Sequence, residues 1–332
     1  MTRTAIVTDA GRPQVNGVVV SLERLTAEFR GLGHDVRIFS PDLFATLPCP
    51  GYAEIRLSIA PGRKLARLIG AYAPDTLHIA TEGPLGLAAR RYGLVRGLSF
   101  SASFHTRFPD YVEARIGLPS AIGYAALRWF HRPSQAVMVS TKSLRHELSQ
   151  RGFTNLRPWS PGVDTELFRP QPKDLFGWRR PIFLYVGRIA VEKNIQAFLD
   201  LDLPGSKVVV GDGPMFDELR RRYAEVHFVG AKFGDDLARH YAAADVFVFP
   251  SRTDTFGLVQ LEALACGIAG AACPGTGPLD GIDGSGVGCL DKDLARAARS
   301  ALAISPESCR AFAMKFSWHN CATQFLAHLP SV

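Results

Sequence analysis

Two cations and two carboxylates, each set just beyond an apolar run, carry the chemistry open to this chain. The stretch "SRTDTFGLVQLEALACG" (251–267) follows "DVFVFP" and places Asp254 and Thr255 in a loop, with Glu262 farther along in an otherwise apolar helix. A helix beginning near Phe256-Gly257 directly after a buried strand turns its unpaired N–H groups and partial positive charge toward the strand's C-terminal end, where an anion fits. Asp254 and Glu262 can then accept hydrogen bonds from two separate sets of hydroxyls, while Gly257 and Ala263 let the backbone approach closely. Hydroxyls flanking a phosphate describe a nucleotide sugar. The plainer account, an aspartate capping its helix and a solvated glutamate, stays open on this stretch alone.

In "YVGRIAVEKN" (185–194) a strand runs into Gly187-Arg188, and Lys193 follows. Two such cations at one strand end can clamp a diphosphate, the guanidinium as a bidentate fork and the ammonium as a point charge. A surface arginine and a helix-start lysine is the alternative. "VVVGDGP" (208–214) adds a tight glycine loop at another strand end. In the first half His105 closes "SFSASF" at a strand end and is expected to face a cleft between domains, although a lone histidine is commonly a satisfied structural group. His78 lies inside a strand-like run and is assigned to structure. "DLD" (200–202) and "DKD" (291–293) match the D-x-D of metal-dependent transferases of another fold, but neither follows a strand. They read as surface helix ends, and no metal is expected.

The elements that must position these residues alternate between strand-like and helical patterns, the signature of βα units around parallel sheets. The first half gives strands at 4–10, 35–40, 75–81, 98–104 and 135–140. Asn16 is a candidate cap for a helix whose Val18, Leu22, Leu25, Phe29 and Leu32 recur at spacings of three and four. The alternation lapses over "LFRPQPKDLFGWRRP" (167–181), which sets the expected boundary between domains 1–170 and 171–332. It resumes with strands at "IFLYVGRI", "KVVVGDGP", "VHFVGA", "DVFVFPS" and "IAGAACP". The last helix, about 316–330, is a candidate to pack back on the first domain.

With 332 residues, 47% of them apolar, the chain is long enough for two cores. Its six cysteines form no C-x-x-C pair, and the first residues make too short an apolar run for a secretory signal, so a reducing cytoplasm is expected. The net charge of +7 is uneven: residues 1–170 hold 21 Lys and Arg against 13 Asp and Glu, while residues 171–332 hold 17 against 18. Such a basic half attracts nucleic acid, an anionic membrane surface or an acidic substrate.

Taken in order, "GRIAVEKN", "VVGDGPMFDEL", "HFVGAKFGDDLARHYAAADVFVFPS" and "TDTFGLVQLEALACG" resemble the donor-binding domain of retaining nucleotide-sugar glycosyltransferases with the GT-B fold. "TDAGRPQVNGVVVSLERL", "SASFHTRFPDY" and "PGVDTELFRP" are similar to that family's first glycine loop, its strand-end histidine motif and the segment before its linker. The resemblance covers nearly the whole chain. It implies an α/β molecule of two doubly wound Rossmann-like domains facing across a cleft, acceptor-binding first and donor-binding second. It implies that Arg188 and Lys193 bind the diphosphate, that Gly187 and Phe256-Gly257-Leu258 approach it, that Gly17 lies near the leaving group and that His105 hydrogen-bonds the transferred sugar. The family's paired glutamates, spaced E-x7-E, correspond to Asp254 and Glu262, the first on sugar hydroxyls and the second on the ribose. The shorter Asp254 departs from the pattern and bears on sugar preference.

That resemblance predicts transfer with retention, by front-face departure in which the leaving phosphate helps deprotonate the acceptor, and with no cofactor beyond the nucleotide diphosphate sugar as co-substrate. Among family members the closest in flavour glycosylate diacylglycerol and related lipids. The segment 108–134 mixes Tyr111, Ile116, Leu118, Tyr124, Trp129 and Phe130 with Arg115, Arg128 and Arg132, so a lipid acceptor at an anionic bilayer is expected, reached from the cytoplasmic face. Tyr111, Arg115, Arg128, Trp129 and Arg132 are the membrane and acceptor candidates, with ordinary helix packing as the alternative. A UDP-sugar is favoured, with a GDP-mannose-dependent mannosyltransferase acting on a lipid or polysaccharide (glycan) acceptor as the alternative. A nucleotide-sugar epimerase or a catalytically silent sugar-binding protein would share this donor site. The first loop lacks G-x-G-x-x-G, which argues against a nicotinamide dehydrogenase, and nucleic-acid-reading motifs are missing.

Overall fold

The computed structural model describes residues 2–12, 17–49, 52–251, 256–274 and 285–330, with the backbone alone at 52–54 and 114–116. The chain forms two compact units, Met1–Pro161 with Trp318–Val332, and Gly162–Ser317. Of the residues singled out above, Asn16, Asp254 and Thr255 lie outside the described residues, as does the side chain of Arg115.

In the first unit the strands are β1 (Arg3–Val7), β2 (Asp35–Phe39), β3 (Thr46–Cys49), β4 (Tyr52–Ser58), β5 (Thr76–Ile79), β6 (Phe100–Phe104), β7 (Val137–Val139) and β8 (Leu156–Pro158). Its helices are α1 (Gly17–Gly31), α2 (Gly62–Tyr72), α3 (Pro84–Arg96), α4 (Phe108–Ile116), α5 (Ser120–His131) and α6 (Lys142–Gln150). Six of the strands form a parallel sheet in the order β2-β1-β5-β6-β7-β8, and β3 and β4 make a separate antiparallel pair. Strands β5 and β6 are buried at every position, as a parallel sheet covered on both faces requires.

The second unit holds β9 (Ile182–Val186), β10 (Ser206–Val210), β11 (His227–Gly230), β12 (Val246–Phe249), β13 (Ala269–Ala272) and β14 (Gly288–Leu290). Between them run α7 (Gln196–Leu199), α8 (Phe216–Arg222), α9 (Gly234–Ala242), α10 (Leu258–Ala265), α11 (Leu294–Ala301) and α12 (Pro306–Ala313). The sheet is again six-stranded, in the order β11-β10-β9-β12-β13-β14, and every pairing in it is parallel. Its central strands "IFLYV" and "VFVF" are buried throughout.

The division falls at Pro161/Gly162, earlier than the lapse in alternation suggests, because the lapsing segment keeps packing. Val163 and Phe168 belong to the core of the second unit, and Arg310 donates to the carbonyls of Thr165, Phe168 and Ala265 at 2.7, 2.6 and 2.9 Å. Farther along, Trp178 stacks on Phe176 at 4.8 Å and on His227 at 3.7 Å between ring centroids. Prolines and charges interrupt a helical period without ending burial. The last helix, α13 (Trp318–Leu326), returns to the first unit, where Phe325 packs on Phe29 at 5.5 Å and on His78 at 4.5 Å.

Candidate active site

In the second unit the chain passes from β9 outward to β10 and β11, then crosses to β12 on the other side of β9. The strand order therefore reverses between β9 and β12, and ligands of open parallel sheets bind in the crevice beyond such a point. The loop after β9 holds Gly187, Arg188 and Lys193; the loop after β12 leads to Phe256, Gly257 and α10. Residues 69 positions apart in the sequence, Arg188 and Gly257, thus follow neighbouring strands of one sheet.

Backbone contact fixes these loops. Gly187 N–H donates to the Val210 carbonyl at 3.0 Å and Ile189 N–H to the Asp212 carbonyl at 2.9 Å, zipping the loop after β9 to the "GDG" turn after β10. A Cβ on Gly211, at φ +147°, would lie 1.9 Å from the Gly187 carbonyl oxygen, closer than any side chain permits. Gly211→Ala is accordingly expected to lower stability by about 3 kcal/mol, read as a fall in the urea midpoint, and to loosen the loop that carries Arg188. Tyr185 Oη donates to the Arg188 carbonyl at 2.8 Å, and Asn194 Nδ2 donates to the Pro250 carbonyl at 3.1 Å, tying the β9 loop to the end of β12. Arg188 and Lys193 are half-buried there. Gly257, at φ +80°, lies under the Phe249 ring, which a Cβ would approach to 2.9 Å.

Glu262 lies one turn into α10, half-buried. Its Oε2 accepts a 2.8 Å hydrogen bond from Tyr241 Oη, and burial, only partly offset by that bond, pushes its carboxyl up to about 7. The D-x-D aspartates serve helix ends: Asp293 accepts from the N–H groups of Ala295 and Arg296 at the start of α11, Asp291 pairs with Arg296, and Asp200, just past α7, accepts from Tyr223 Oη.

The first unit reverses its strand order in the same way, between β1 and β5, but its helix N-terminus is already filled. Asp9, beyond β1 and only 7% exposed, accepts from the N–H groups of Leu85 and Gly86 at 2.8 and 3.2 Å and from Thr81 Oγ1 at 3.0 Å. The protein's own carboxylate occupies the anion position of α3. Burial raises its pKa against the pull of those donors. Sequence reasoning passed over Asp9, although its place between the first strand and a glycine is the signal that marks a strand-end ligand.

His105 follows β6, half-buried, with its ring edge-on to Trp159 at 5.8 Å. Burial lowers its pKa to about 4 in spite of the nearby Glu82 carboxylate, so the imidazole is neutral at pH 7 and offers hydrogen bonds without charge. His78 is fully buried, with Nδ1 2.9 Å from Ser101 Oγ and Nε2 3.0 Å from Ser103 Oγ, a structural role. Arg107, also missed in the sequence, is 7% exposed and clamps Glu147 with both Nη atoms.

The basic-aromatic segment divides. Tyr124 and Phe130 are core, and Tyr124 Oη donates to Asp110 at 2.9 Å beneath the Arg151 guanidinium. These two belong to helix packing. Trp129 is 56% exposed, and Arg128 and Arg132 are exposed beside it, while Tyr111 is half-buried and Gly17 stands exposed at the head of α1. The Arg90 guanidinium lies 4.0 Å over the Trp129 ring and joins α5 to α3, whose Leu87, Leu94 and Val95 are exposed. Helices α2, α3 and α5 contain no acidic residue. No helix among the described residues is long and apolar enough to cross a membrane.

Both halves of the chain are similar to known proteins. The Glycosyltransferase Family 4 model matches residues 15–167, and the Glycosyl transferases group 1 model matches residues 180–304. A GDP-mannose-dependent alpha-mannosyltransferase of Mycobacterium tuberculosis (strain CDC 1551 / Oshkosh) is 30% identical over 319 residues, covering 87% of this chain and 83% of that protein. Sulfoquinovosyl transferase SQD2 of Arabidopsis thaliana is 30% identical over 269 residues, with 76% and 51% covered. Alpha-monoglucosyldiacylglycerol synthase of Streptococcus pneumoniae (strain ATCC BAA-255 / R6) is 28% identical over 307 residues, with 80% and 69% covered. Anabaena Alr3699/HepE, solved in complex with UDP and glucose, superposes with a TM-score of 0.73 at 14% identity, covering 98% of this chain and 99% of that one. With both halves matched in order, with relatives at this identity along most of the chain, and with two parallel sheets whose reversal points carry the motifs, the chain belongs to the group 1, Family 4 glycosyltransferases and has the GT-B fold.

Proposed function

We propose that the chain is a retaining hexosyltransferase that moves a sugar from a nucleoside diphosphate donor to a membrane lipid. The observation that carries this reading is the contrast between the two reversal points. In the first unit the helix N-terminus is saturated by Asp9, whereas in the second the loop that carries Arg188 and Lys193 follows β9, next to β12, the strand that leads to α10, whose first residue is preceded by a glycine. A diphosphate has its place in the second, with Gly187, Gly257 and Leu258 supplying close backbone and Glu262 accepting from ribose hydroxyls.

Transfer requires negative charge to be stabilised on the departing phosphate and positive charge to develop on the sugar ring. Arg188, Lys193 and the dipole of α10 meet the first need through fixed charges that do not reorganise. Neutral His105 adds a hydrogen bond to the sugar, and Asp254 is assigned to the sugar hydroxyls. A front-face route, with the leaving phosphate taking the acceptor proton, asks for no carboxylate nucleophile beside the anomeric carbon. Residues of this chain account for binding and charge stabilisation without a metal.

The lipid acceptor is supported by the relatives, which include an alpha-monoglucosyldiacylglycerol synthase, and by the exposed Trp129, Arg128 and Arg132. An exposed indole flanked by arginines suits the interface of an anionic bilayer, with the protein peripheral on its cytoplasmic face. Tyr111 on α4 is assigned to the acceptor as well. A UDP-hexose is our first choice of donor; GDP-mannose is the second reading, favoured by the mannosyltransferase relatives.

Thermal denaturation with UDP-glucose, UDP-galactose and GDP-mannose tests the donor. The correct one at a hundred times its Kd is expected to stabilise the fold by about 2.7 kcal/mol, and the wrong base by far less. Labelled donor is then offered with vesicles of diacylglycerol and anionic phospholipid. Label in the lipid phase supports transfer, whereas an epimerised donor formed without acceptor would identify an epimerase. Failure to bind anionic vesicles at low salt would remove the membrane part of the reading.

A further inference from the structure

Tyr241 is wholly buried on α9, its ring packed edge-on to Phe168 at 5.8 Å and tilted against Phe247 at 6.0 Å. Phenylalanine would fill that space equally well, and a hydroxyl carried into an apolar core is costly without a partner. The partner is Glu262, whose Oε2 accepts from Tyr241 Oη at 2.8 Å. Glu262 is the one charged residue of α10, "LVQLEALA".

The other charged and titratable groups on the elements packed around α10 are committed elsewhere or unable to neutralise it. On α9, His240 Nδ1 lies 2.7 Å from the Asp236 carbonyl oxygen, and Asp236 lies 3.4 Å from Lys232; Asp235 and Arg239 stand at exposed positions. On α12, Arg310 spends its guanidinium on three backbone carbonyls, and Glu307 accepts from Ser305. Strands β12 and β13 carry no charge. The thiol of Cys266, beside Glu262, is pushed up to about 12 by burial and by that carboxylate, so it stays protonated. Among the described residues Tyr241 is therefore the side chain that orients Glu262.

We propose that Tyr241 is a positioning residue of the donor site: its hydroxyl fixes the Glu262 carboxyl in one orientation, with Oε2 occupied and Oε1 left to accept from the hydroxyls of the nucleotide sugar. This rests on the donor reading above. Tyr241 touches no substrate; it acts through Glu262. A hydrogen bond donated to the ionised form favours that form, so removing it makes the carboxyl easier to protonate, and a protonated carboxyl is a poorer acceptor for a diol. With the Glu262 carboxyl at about 7, donor affinity rises as pH is raised through neutrality and falls below it.

The test pairs two measurements on the whole protein. Calorimetric titration with UDP-glucose and with GDP-mannose between pH 5.5 and 9 reads donor affinity, and 13C NMR of glutamate-labelled protein follows the Glu262 carboxyl without donor. For Tyr241→Phe both midpoints are expected to move upward by about one unit, which from a midpoint of about 7 weakens donor binding at pH 7 by about fivefold while affinity at pH 9 approaches the unmodified protein. Glu262→Gln is expected to bind weakly with no pH midpoint in this range. A Tyr241→Phe protein that binds donor with an unmoved midpoint, or that loses affinity by one factor at every pH alongside a lower Tm, would show the phenol to be only a packing group and overturn the proposal. If neither nucleotide binds the unmodified protein at any pH, the donor reading itself falls and takes this one with it, an outcome the calorimetry separates from an unmoved carboxyl midpoint in the NMR.

Discussion

Arg188→Ala and Lys193→Ala are each expected to lower kcat by about two to three orders of magnitude, the effect of removing one fixed donor from a site that stabilises developing negative charge. The expected cause is local. Both residues are half-buried on a loop held by backbone bonds between Gly187 and Val210 and between Ile189 and Asp212, and neither side chain is part of the apolar core. The substitutions should therefore leave circular dichroism unchanged and Tm within a few degrees. Because the two cations serve one diphosphate, the double substitution should cost much less than the product of the two single effects. Arg188→Lys restores charge without the fork and should recover only part of the loss. Steady-state transfer from labelled donor supplies the measurement, with kcat and the donor KM resolved separately. Ordinary turnover in either alanine variant would place the phosphates somewhere other than the reversal point between β9 and β12.

The second large effect is on stability. Asp9→Ala should destabilise the first unit by about 3 kcal/mol, because it strands the N–H groups of Leu85 and Gly86 in the interior and leaves Thr81 Oγ1 without its acceptor. Asp9→Asn keeps an acceptor oxygen and should cost less, about 1 kcal/mol. The pH dependence distinguishes the two variants from a generic packing defect. Burial raises the Asp9 carboxyl in the folded state, so ionisation is harder there than in the unfolded chain. Its contribution to stability is then greatest at low pH and is lost as pH rises from the unfolded pKa through the folded one. The asparagine variant should lack that falling limb. Urea unfolding between pH 3 and 8 measures it, and an Asp9→Asn curve parallel to the unmodified protein would contradict the assignment. Gly83→Ala offers an independent check, since its Cβ would meet the Asp9 carboxyl at 2.5 Å and should disturb the same cap.

Much of this architecture was legible in the residues. The runs "IFLYV" and "VFVF" are buried on both faces and could belong only to central strands or buried helices, and the glycine-bearing loops after them settled which. The apolar run between Gly257 and Gly267 predicts a helix, and α10 forms over Leu258–Ala265. Other elements were not legible. The β3–β4 pair was missed because Pro48 interrupts a short, half-exposed strand, and β8 and β14 because three residues carry no period. In segment 108–134 the sequence showed aromatics among arginines but not which of them the fold covers, so Tyr124 and Phe130 looked the same as Trp129 until the helices were packed. The exposed apolar positions of α3 gave no signal at all, since a leucine reads alike whether its face is covered or bare.

By itself the sequence determined the alternation of strand and helix, the motifs at the strand ends and the polar groups available to a phosphate and to sugar hydroxyls, because each is written in local composition and spacing. Only the tertiary structure decided what those groups do. It set Asp9 against N–H groups 76 and 77 residues away and closed one anion site, brought Tyr241 to Glu262 across 21 residues, and carried α13 back to the first unit. The physical reason is that hydrogen-bond partnership and desolvation depend on which surfaces come together, and strand order, which no local pattern encodes, decides that.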